Sequence, residues 1–188
     1  MQLIQDQQFE NIDFTIDTFA KGEYENCNFL NCNFSNINLS SFVFIDCNFS
    51  GCNLSLVKLG NTILRDIHFK ECKMIGMQFC DANHFGFAIS FDNCILTNAS
   101  FFKMNLKNIK FLNSKLNEVD FSEADLTAAH FAGSDLTAAI FSFTNLEQAD
   151  LRNASNYSID PEKNKVKKSK HSLIGVGGLL DKYQIVIE

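Results

Sequence analysis

Four histidines, seven cysteines and one carboxylate-rich stretch are the groups in this chain of 188 residues with the potential for chemistry. His68, His84, His130 and His171 are dispersed, with no paired carboxylate and no nucleophile-and-base arrangement beside them. They read as surface or core-adjacent side chains. Asn33-Phe34-Ser35, Asn38-Leu39-Ser40, Asn48-Phe49-Ser50 and Asn53-Leu54-Ser55 fit a glycosylation acceptor, but they recur at a fixed spacing and so belong to a repeat. Gly175-Val176-Gly177-Gly178 lacks the preceding strand and the Lys-Ser/Thr of a phosphate loop. The expectation is a protein that is not an enzyme and takes no cofactor, metal or small-molecule substrate. Glu118, Asp120, Glu123, Asp125, Asp135, Glu147 and Asp150 are different, because residues 116–151 contain no Lys or Arg. Such a polyanionic segment is suited to a basic protein surface that ordinarily neutralises a polyanion.

The elements that hold these groups follow from a period. Twenty Phe, no Trp and a single Pro are odd proportions for a globular chain. Stepping by five from Phe9 meets Phe14, Phe19, Tyr24, Phe29, Phe34, Leu39, Phe44, Phe49, Leu54, Leu59, Leu64, Phe69, Met74 and Phe79. The same step from Phe91 runs through Leu96, Phe101, Leu106, Phe111, Leu116, Phe121, Leu126, Phe131, Leu136, Phe141 and Leu146 to Leu151. Two places before these large residues there is usually a small or modest one, such as Cys27, Cys32, Ile37, Val57, Ala99 or Ala124. In extended backbone, residues two apart share a face, so both point inward, while the polar residue between them faces water. The next two positions, rich in Ser, Thr, Asn and Gly, suit a turn. A helix fails, because five steps of about 100° carry the apolar positions around its cylinder. Each quintet is an edge and a corner that bury nothing alone, so the chain must stack as a solenoid.

This pattern resembles the pentapeptide-repeat family, whose Ala-(Asp/Asn)-Leu-x-x motif is seen in Ala124-Asp125-Leu126 and Ala149-Asp150-Leu151. The resemblance covers roughly residues 4–151 and implies an all-β, right-handed, quadrilateral β-helix with four quintets per coil. The sequence favours four independently: steps of twenty from Phe9 reach Phe29, Phe49 and Phe69, whereas steps of fifteen reach Tyr24, Leu39 and Leu54. About seven coils at a strand spacing of about 4.8 Å make a column of roughly 34 Å. Six of the cysteines, all but Cys80, take the inward position and pack as small hydrophobes. Cys27 and Cys47, Cys32 and Cys52, and Cys52 and Cys72 should stack with parallel side chains, which disfavours a disulfide torsion. Cys27 and Cys32 fall on different faces, which argues against a zinc knuckle.

The expected organisation is a repeat domain over 1–156 and a C-terminal capping and dimerisation segment over 157–188. Between Phe79 and Phe91 the register breaks at 80–90, two residues in excess, and Asn83, His84 and Phe85 are the candidate loop. Asp160-Pro161-Glu162 predicts a helix start of one or two turns, and Lys165–His171 predicts one last edge over the coil. Leu173, Leu179, Leu180 and Tyr183 show helical spacing, although Gly175, Gly177 and Gly178 each cost about 1 kcal/mol of helix propensity relative to Ala. Ile185-Val186-Ile187 reads as a terminal strand. These six apolar positions, Leu173, Leu179, Leu180, Tyr183, Ile185 and Ile187, are the candidates for the cap and dimer contact, since an open solenoid end needs a cover.

Two functional readings stand. The tail resembles that of Qnr-type, quinolone-resistance pentapeptide proteins, which implies a homodimer joined end to end through the C-terminus. It also implies a DNA mimic that occupies the DNA site of DNA gyrase or topoisomerase IV. Residues 116–151 fit that role, whereas residues 58–115 sum to +4 and the long loops of the plasmid-type relatives are missing. The other reading is a protein-protein binding scaffold whose acids keep a Phe-rich rod in solution. Val43, Ile45 and Ile63, on one face, would then form a contact patch. Neither reading includes direct nucleic acid binding. Met1–Glu10 has no signal-peptide pattern and no apolar run reaches membrane length, so a cytoplasmic protein with reduced thiols and no membrane contact is expected.

Overall fold

The computed structural model describes residues 2–186. Ten short strands, β1 (Gln2–Gln5), β2 (Gln8–Glu10), β3 (Gly22–Glu25), β4 (Asn28–Leu30), β5 (Val43–Ile45), β6 (Asn48–Ser50), β7 (Ile63–Arg65), β8 (Ile67–Lys70), β9 (Ile89–Asp92) and β10 (Lys110–Leu112), form two parallel sheets. The first face is ordered β1-β3-β5-β7 and the second β2-β4-β6-β8-β9-β10. Beyond the strands, single bridges carry the same ladders on, through Asn105, Asp125, Asn145 and Lys165 on the first face and His130, Asp150 and Lys170 on the second. A third ladder joins Asp13, Asn33, Asn53, Lys73, Ile95, Lys115, Asp135 and Ser155. A fourth holds Asn38 and Lys58, then Gln78, Ser100, Asp120 and Ile140. Four parallel ladders around one interior make a four-sided β-solenoid.

Like residues stack on like. Phe29, Phe49, Phe69, Phe91, Phe111 and Phe131 form a continuous pile on the second face, with centroids 4.6 Å apart for the first pair and 5.4 Å for the last. Phe79, Phe101, Phe121 and Phe141 form another pile. All these rings are buried. Burying one such side chain is worth about 1.5–3 kcal/mol, and the offset stacking adds to it.

The corners obey one backbone rule. The residue two places after the central one is in the left-handed region at nearly every corner, including Asn26, Asn31, Asp46, Leu56, Glu71, Asn98, Glu118, Glu123 and Phe143. That conformation costs a non-glycine residue about 1–2 kcal/mol, least for Asn and Asp. A hydrogen bond to the next coil offsets it, as where the Asn31 N–H donates to the Ser50 carbonyl at 2.8 Å. Many corners also close on themselves: the Ile37 N–H donates to Phe34 O and the Ala124 N–H to Phe121 O, the pattern of a type II turn with positive φ at its third residue.

The inward small position explains the cysteines. The thiols of Cys52, Cys72 and Cys94 donate to the carbonyls of Phe29, Phe49 and Phe69 in the coil below, at 3.3–3.4 Å. Ser134 and Thr144 make the same bond to Phe111 and Phe121 at 3.0 and 2.8 Å. The buried position thus accepts Cys, Ser or Thr because a carbonyl is always waiting there. All seven cysteines are free thiols.

At the break, the ladder partner shifts from twenty residues to twenty-two, as in Ile67 with Ile89. A 3-10 turn over Phe79–Asp81 takes up the change, and His84, Phe85 and Gly86 project as a short exposed loop. Asn83 anchors it by accepting the Phe85 N–H at 2.9 Å and donating to Asn61 at 2.8 Å. The Arg65 guanidinium lies 5.5 Å over the Phe85 ring.

The C-terminal segment departs from expectation in three places. Asp160 does accept the Glu162 N–H at 2.9 Å, but the chain makes a single turn instead of a helix. Asn164 ends it by turning inward, bonding Thr144 N at 2.8 Å and Phe141 O at 3.1 Å as a rung of the core. Lys165 and Lys170 then continue the ladders as the anticipated last edge. The cap itself is two 3-10 segments, Gly175–Leu179 and Asp181–Tyr183, in place of an α-helix. Three glycines in four positions disfavour an α-helix here, and they permit close packing: a Cβ on Gly178 would overlap the Tyr157 carbonyl, and one on Gly175 the Tyr157 hydroxyl. Ile185 and Val186 form no strand, since left-handed Gln184 (φ 50°) turns the chain there; Ile187 lies outside the described residues.

Candidate functional site

The seven candidate acids share a few coils but not a face. Asp120 belongs to the fourth ladder, Asp125 to the first, Asp135 to the third and Asp150 to the second. Glu118 and Glu123 stand at left-handed corners, exposed, and Glu147 flanks another corner. Their charge therefore girdles the column and does not run along it as a stripe.

Each of the four aspartates is also a structural clamp. Asp120 accepts the Ser122 N–H at 2.9 Å, Asp125 the Thr127 N–H at 3.1 Å, Asp135 the Thr137 N–H at 3.1 Å and Asp150 the Arg152 N–H at 3.2 Å. Asn33 and Asn53 do the same for Ser35 and Ser55, so the motif's polar residue is an Asx clamp on its own corner. Sequence reasoning placed these residues in solvent and missed the clamp. The signal was present in the Asn/Asp-x-Ser/Thr spacing that mimics a glycosylation acceptor.

Three of the clamped carboxyls, those of Asp125, Asp135 and Asp150, are held below the ordinary carboxylate range. Partial burial pushes the Asp135 carboxyl up, but hydrogen bonds from Thr137, Asn156 and Asn117 outweigh it and bring the pKa down to about 2. The hydrogen bond from Arg152 is the main cause that brings Asp150 to about 2. Lys103 and Lys107 of the basic tier reach Glu123 and Asp125, each at 3.4 Å. Glu118, Asp120, Asp135 and Glu147 take part in none of the ion pairs among the described residues.

The apolar candidates divide. Val43, Ile45 and Ile63 are half-buried neighbours on the first face, where Val43 pairs with Ile63 and Ile45 with Arg65. Arg65 in turn carries Phe85, which is 78% exposed, so the loop extends this patch outward. In the cap, Leu179 packs against the core and Leu180 is half-buried. Leu173 and Ile174 are 92% and 96% exposed, and Tyr183 and Ile185 are exposed as well. The Tyr183 hydroxyl donates to Glu162 at 3.0 Å, and Lys182 joins Asp160 and Glu162 at 2.8 and 2.6 Å.

The histidines stay apart. His171 alone is half-buried, 2.9 Å from the hydroxyls of both Tyr157 and Ser169. His68, His84 and His130 are exposed. Among the described residues no group of three or more His, Cys, Asp or Glu could hold a metal ion, and no helix is long and apolar enough to cross a membrane.

Comparison with known proteins agrees with this geometry. A full-length QnrB1, described as a plasmid-mediated fluoroquinolone resistance protein, is similar with a TM-score of 0.51 at 22% identity, over 98% of this chain and 100% of that one. A trypsin-treated QnrB1 variant gives a TM-score of 0.59 at 16% identity over the whole of both chains. HetL from the cyanobacterium Nostoc, a pentapeptide repeat protein involved in heterocyst differentiation regulation, gives 0.41 at 18% identity over 90% and 85%. At these identities the likeness to QnrB1 concerns the fold alone. No curated protein matches the chain. The pentapeptide repeat region family model matches residues 22–89 and 87–157, and with the four stacked ladders this match shows that the chain belongs to the pentapeptide-repeat family.

Proposed function

We propose that this chain is a non-enzymatic, cytoplasmic scaffold that binds another protein through the outer surface of a rigid column. The observation that carries the reading is the first face, where Val43, Ile45 and Ile63 form an apolar patch beside the projecting Phe85 loop. The large residues of the repeat are consumed by the core, so apolar side chains clustered outside it need another purpose. A photo-crosslinker at Ile63 should capture a discrete protein, and Ile45→Asp should abolish the adduct. Absence of any adduct from Ile63 with the protein at its natural level would sink this reading.

The second reading is occupation of the DNA site of DNA gyrase or topoisomerase IV. It is favoured by the acids of residues 116–151, of which Glu118, Asp120, Asp135 and Glu147 are free of the ion pairs found among the described residues. Their spread over four faces argues for second place. Purified protein in a gyrase supercoiling and quinolone-protection assay decides: no effect at micromolar concentration removes this reading. An effect unchanged by Glu118→Lys, Asp120→Lys and Glu147→Lys together would keep the target and discard the mimicry. Self-association through the C-terminal end, where Leu173 and Ile174 stand exposed, accompanies either reading.

A further inference from the structure

We infer that two copies of this chain join head to tail, the apolar tip Leu173–Ile174 of one copy seating in the open cup at the first coil of the next. The inference rests on the self-association reading and gives it a geometry.

The cup is the unfinished end of the core. A cavity of about 460 Å³ there is lined by Leu3, Ile4, Phe9, Phe14, Phe19 and Tyr24, among others. Phe29 is covered on both sides, by Phe9 at 4.9 Å and Phe49 at 4.6 Å. Phe9 has one stacked partner, Phe29, beside its edge-on contacts with Phe14, Phe19 and Tyr24, and remains partly exposed. Strands β1 and β2 are the outermost of their sheets, so the outer backbone groups of each pair with no strand among the described residues, an arrangement that recruits a further chain.

The opposite end has the complementary shape and sign. Leu173 and Ile174 are the most exposed large apolar residues described, directly after the exposed Lys167, Lys168 and Lys170. Residues 2–26 carry Asp6, Glu10, Asp13, Asp17, Glu23 and Glu25 against Lys21, a net of −5. Residues 157–186 carry six Lys against Asp160, Glu162 and Asp181, a net of +3.

Charge decides between the arrangements. An isologous two-fold contact sets each patch against itself, which would bring +3 to +3 at the C-terminal end or −5 to −5 at the N-terminal end. A heterologous contact sets +3 against −5. It also keeps the strands of successive copies running in the same direction, as every ladder within the chain does. Because a contact of this kind need not close, it generates an open series of copies.

Sedimentation velocity on the full chain provides the test, with two surface variants. Ile174→Glu blocks the tip and leaves the cup, whereas Leu3→Glu, at an exposed strand position, blocks the cup and leaves the tip. Wild type should grow with concentration past twice its 21.2 kDa, and its association should weaken at least ~10-fold from 0.05 to 0.5 M salt as the charges are screened. Each variant alone should stay monomeric, and their equimolar mixture should give a dimer and nothing larger. A Leu3→Glu variant that still dimerises by itself overturns the head-to-tail geometry but retains C-terminal self-association. A mixture that stays monomeric while wild type associates overturns the geometry too. Wild type that is monomeric throughout overturns both.

Discussion

Phe69 stacks on Phe91 with ring centroids 5.5 Å apart and 15° between planes, although twenty-two residues separate them where other neighbours in the pile are twenty apart. The two extra residues leave the core undisturbed because they are expelled at the corner between β8's face and the preceding one, into the loop that displays Phe85. Core and loop therefore make opposite demands on two aromatics six positions apart.

Phe91→Ala should lower unfolding stability by about 3–5 kcal/mol, the usual cost of an emptied aromatic site in a core. Phe85→Ala should cost no more than about 0.5–1 kcal/mol, the worth of an exposed cation–π contact with Arg65. Chemical denaturation of the two variants side by side measures the contrast; equal losses would mean that the loop is part of the core.

Native alkylation should single out Cys80. The other six thiols are buried and so out of reach, and at Cys47 burial also pushes the pKa up to about 12, which keeps its thiolate fraction low. Mass spectrometry after brief iodoacetamide treatment should find one modified site in folded protein and seven in denaturant. Rapid labelling of Cys52 or Cys72 in the folded chain would contradict the closed column.

Acid should unclamp the corners. Asp135 and Asp150 have folded pKa values of about 2, below the ordinary carboxylate value of 3.8. A depressed folded pKa contributes stability that is complete above the unfolded value and is lost as pH falls through the folded one. Stability should thus drop between about pH 4 and pH 2. Asp135→Asn, which keeps an acceptor for Thr137, should flatten part of that drop, as measured by denaturant midpoints at each pH.

Gly178→Ala should detach the cap without unfolding the solenoid. Its Cβ would meet backbone, the Tyr157 carbonyl, which has no rotamer by which to yield. Limited proteolysis should then cut within residues 172–186 at least ~10-fold faster, while the β-sheet circular dichroism signal is retained, as expected for a locally opening terminal unit. Unchanged cleavage would show that the cap tolerates the shift.

Much of the fold was legible because the repeat is a local instruction copied many times. Any single Phe is ambiguous, but Phe29, Phe49 and Phe69 at one spacing admit a stack and little else, and the change at Phe79 to Phe91 located the loop. The candidate site was less legible. Asp120, Asp125, Asp135 and Asp150 are neighbours in the sequence, yet each falls on a different ladder because every corner turns the chain by a quarter of the circuit. Nothing in a run of acids announces that rotation until the coil is closed.

The tail marks the boundary. The stretch after Leu151 has no period to average over, so its apolar spacing suggested an α-helix where the chain instead forms two 3-10 segments, with Gly175 and Gly178 packed closely on Tyr157. By itself the sequence determined which side chains go inward, since burial of two residues in five is a periodic property that local backbone geometry and solvent enforce together. Only the tertiary structure decided which acids share a face, which thiols meet which carbonyls and how the ends are finished. Those depend on contacts between residues about twenty or more positions apart, and come into being only when one coil lies on another.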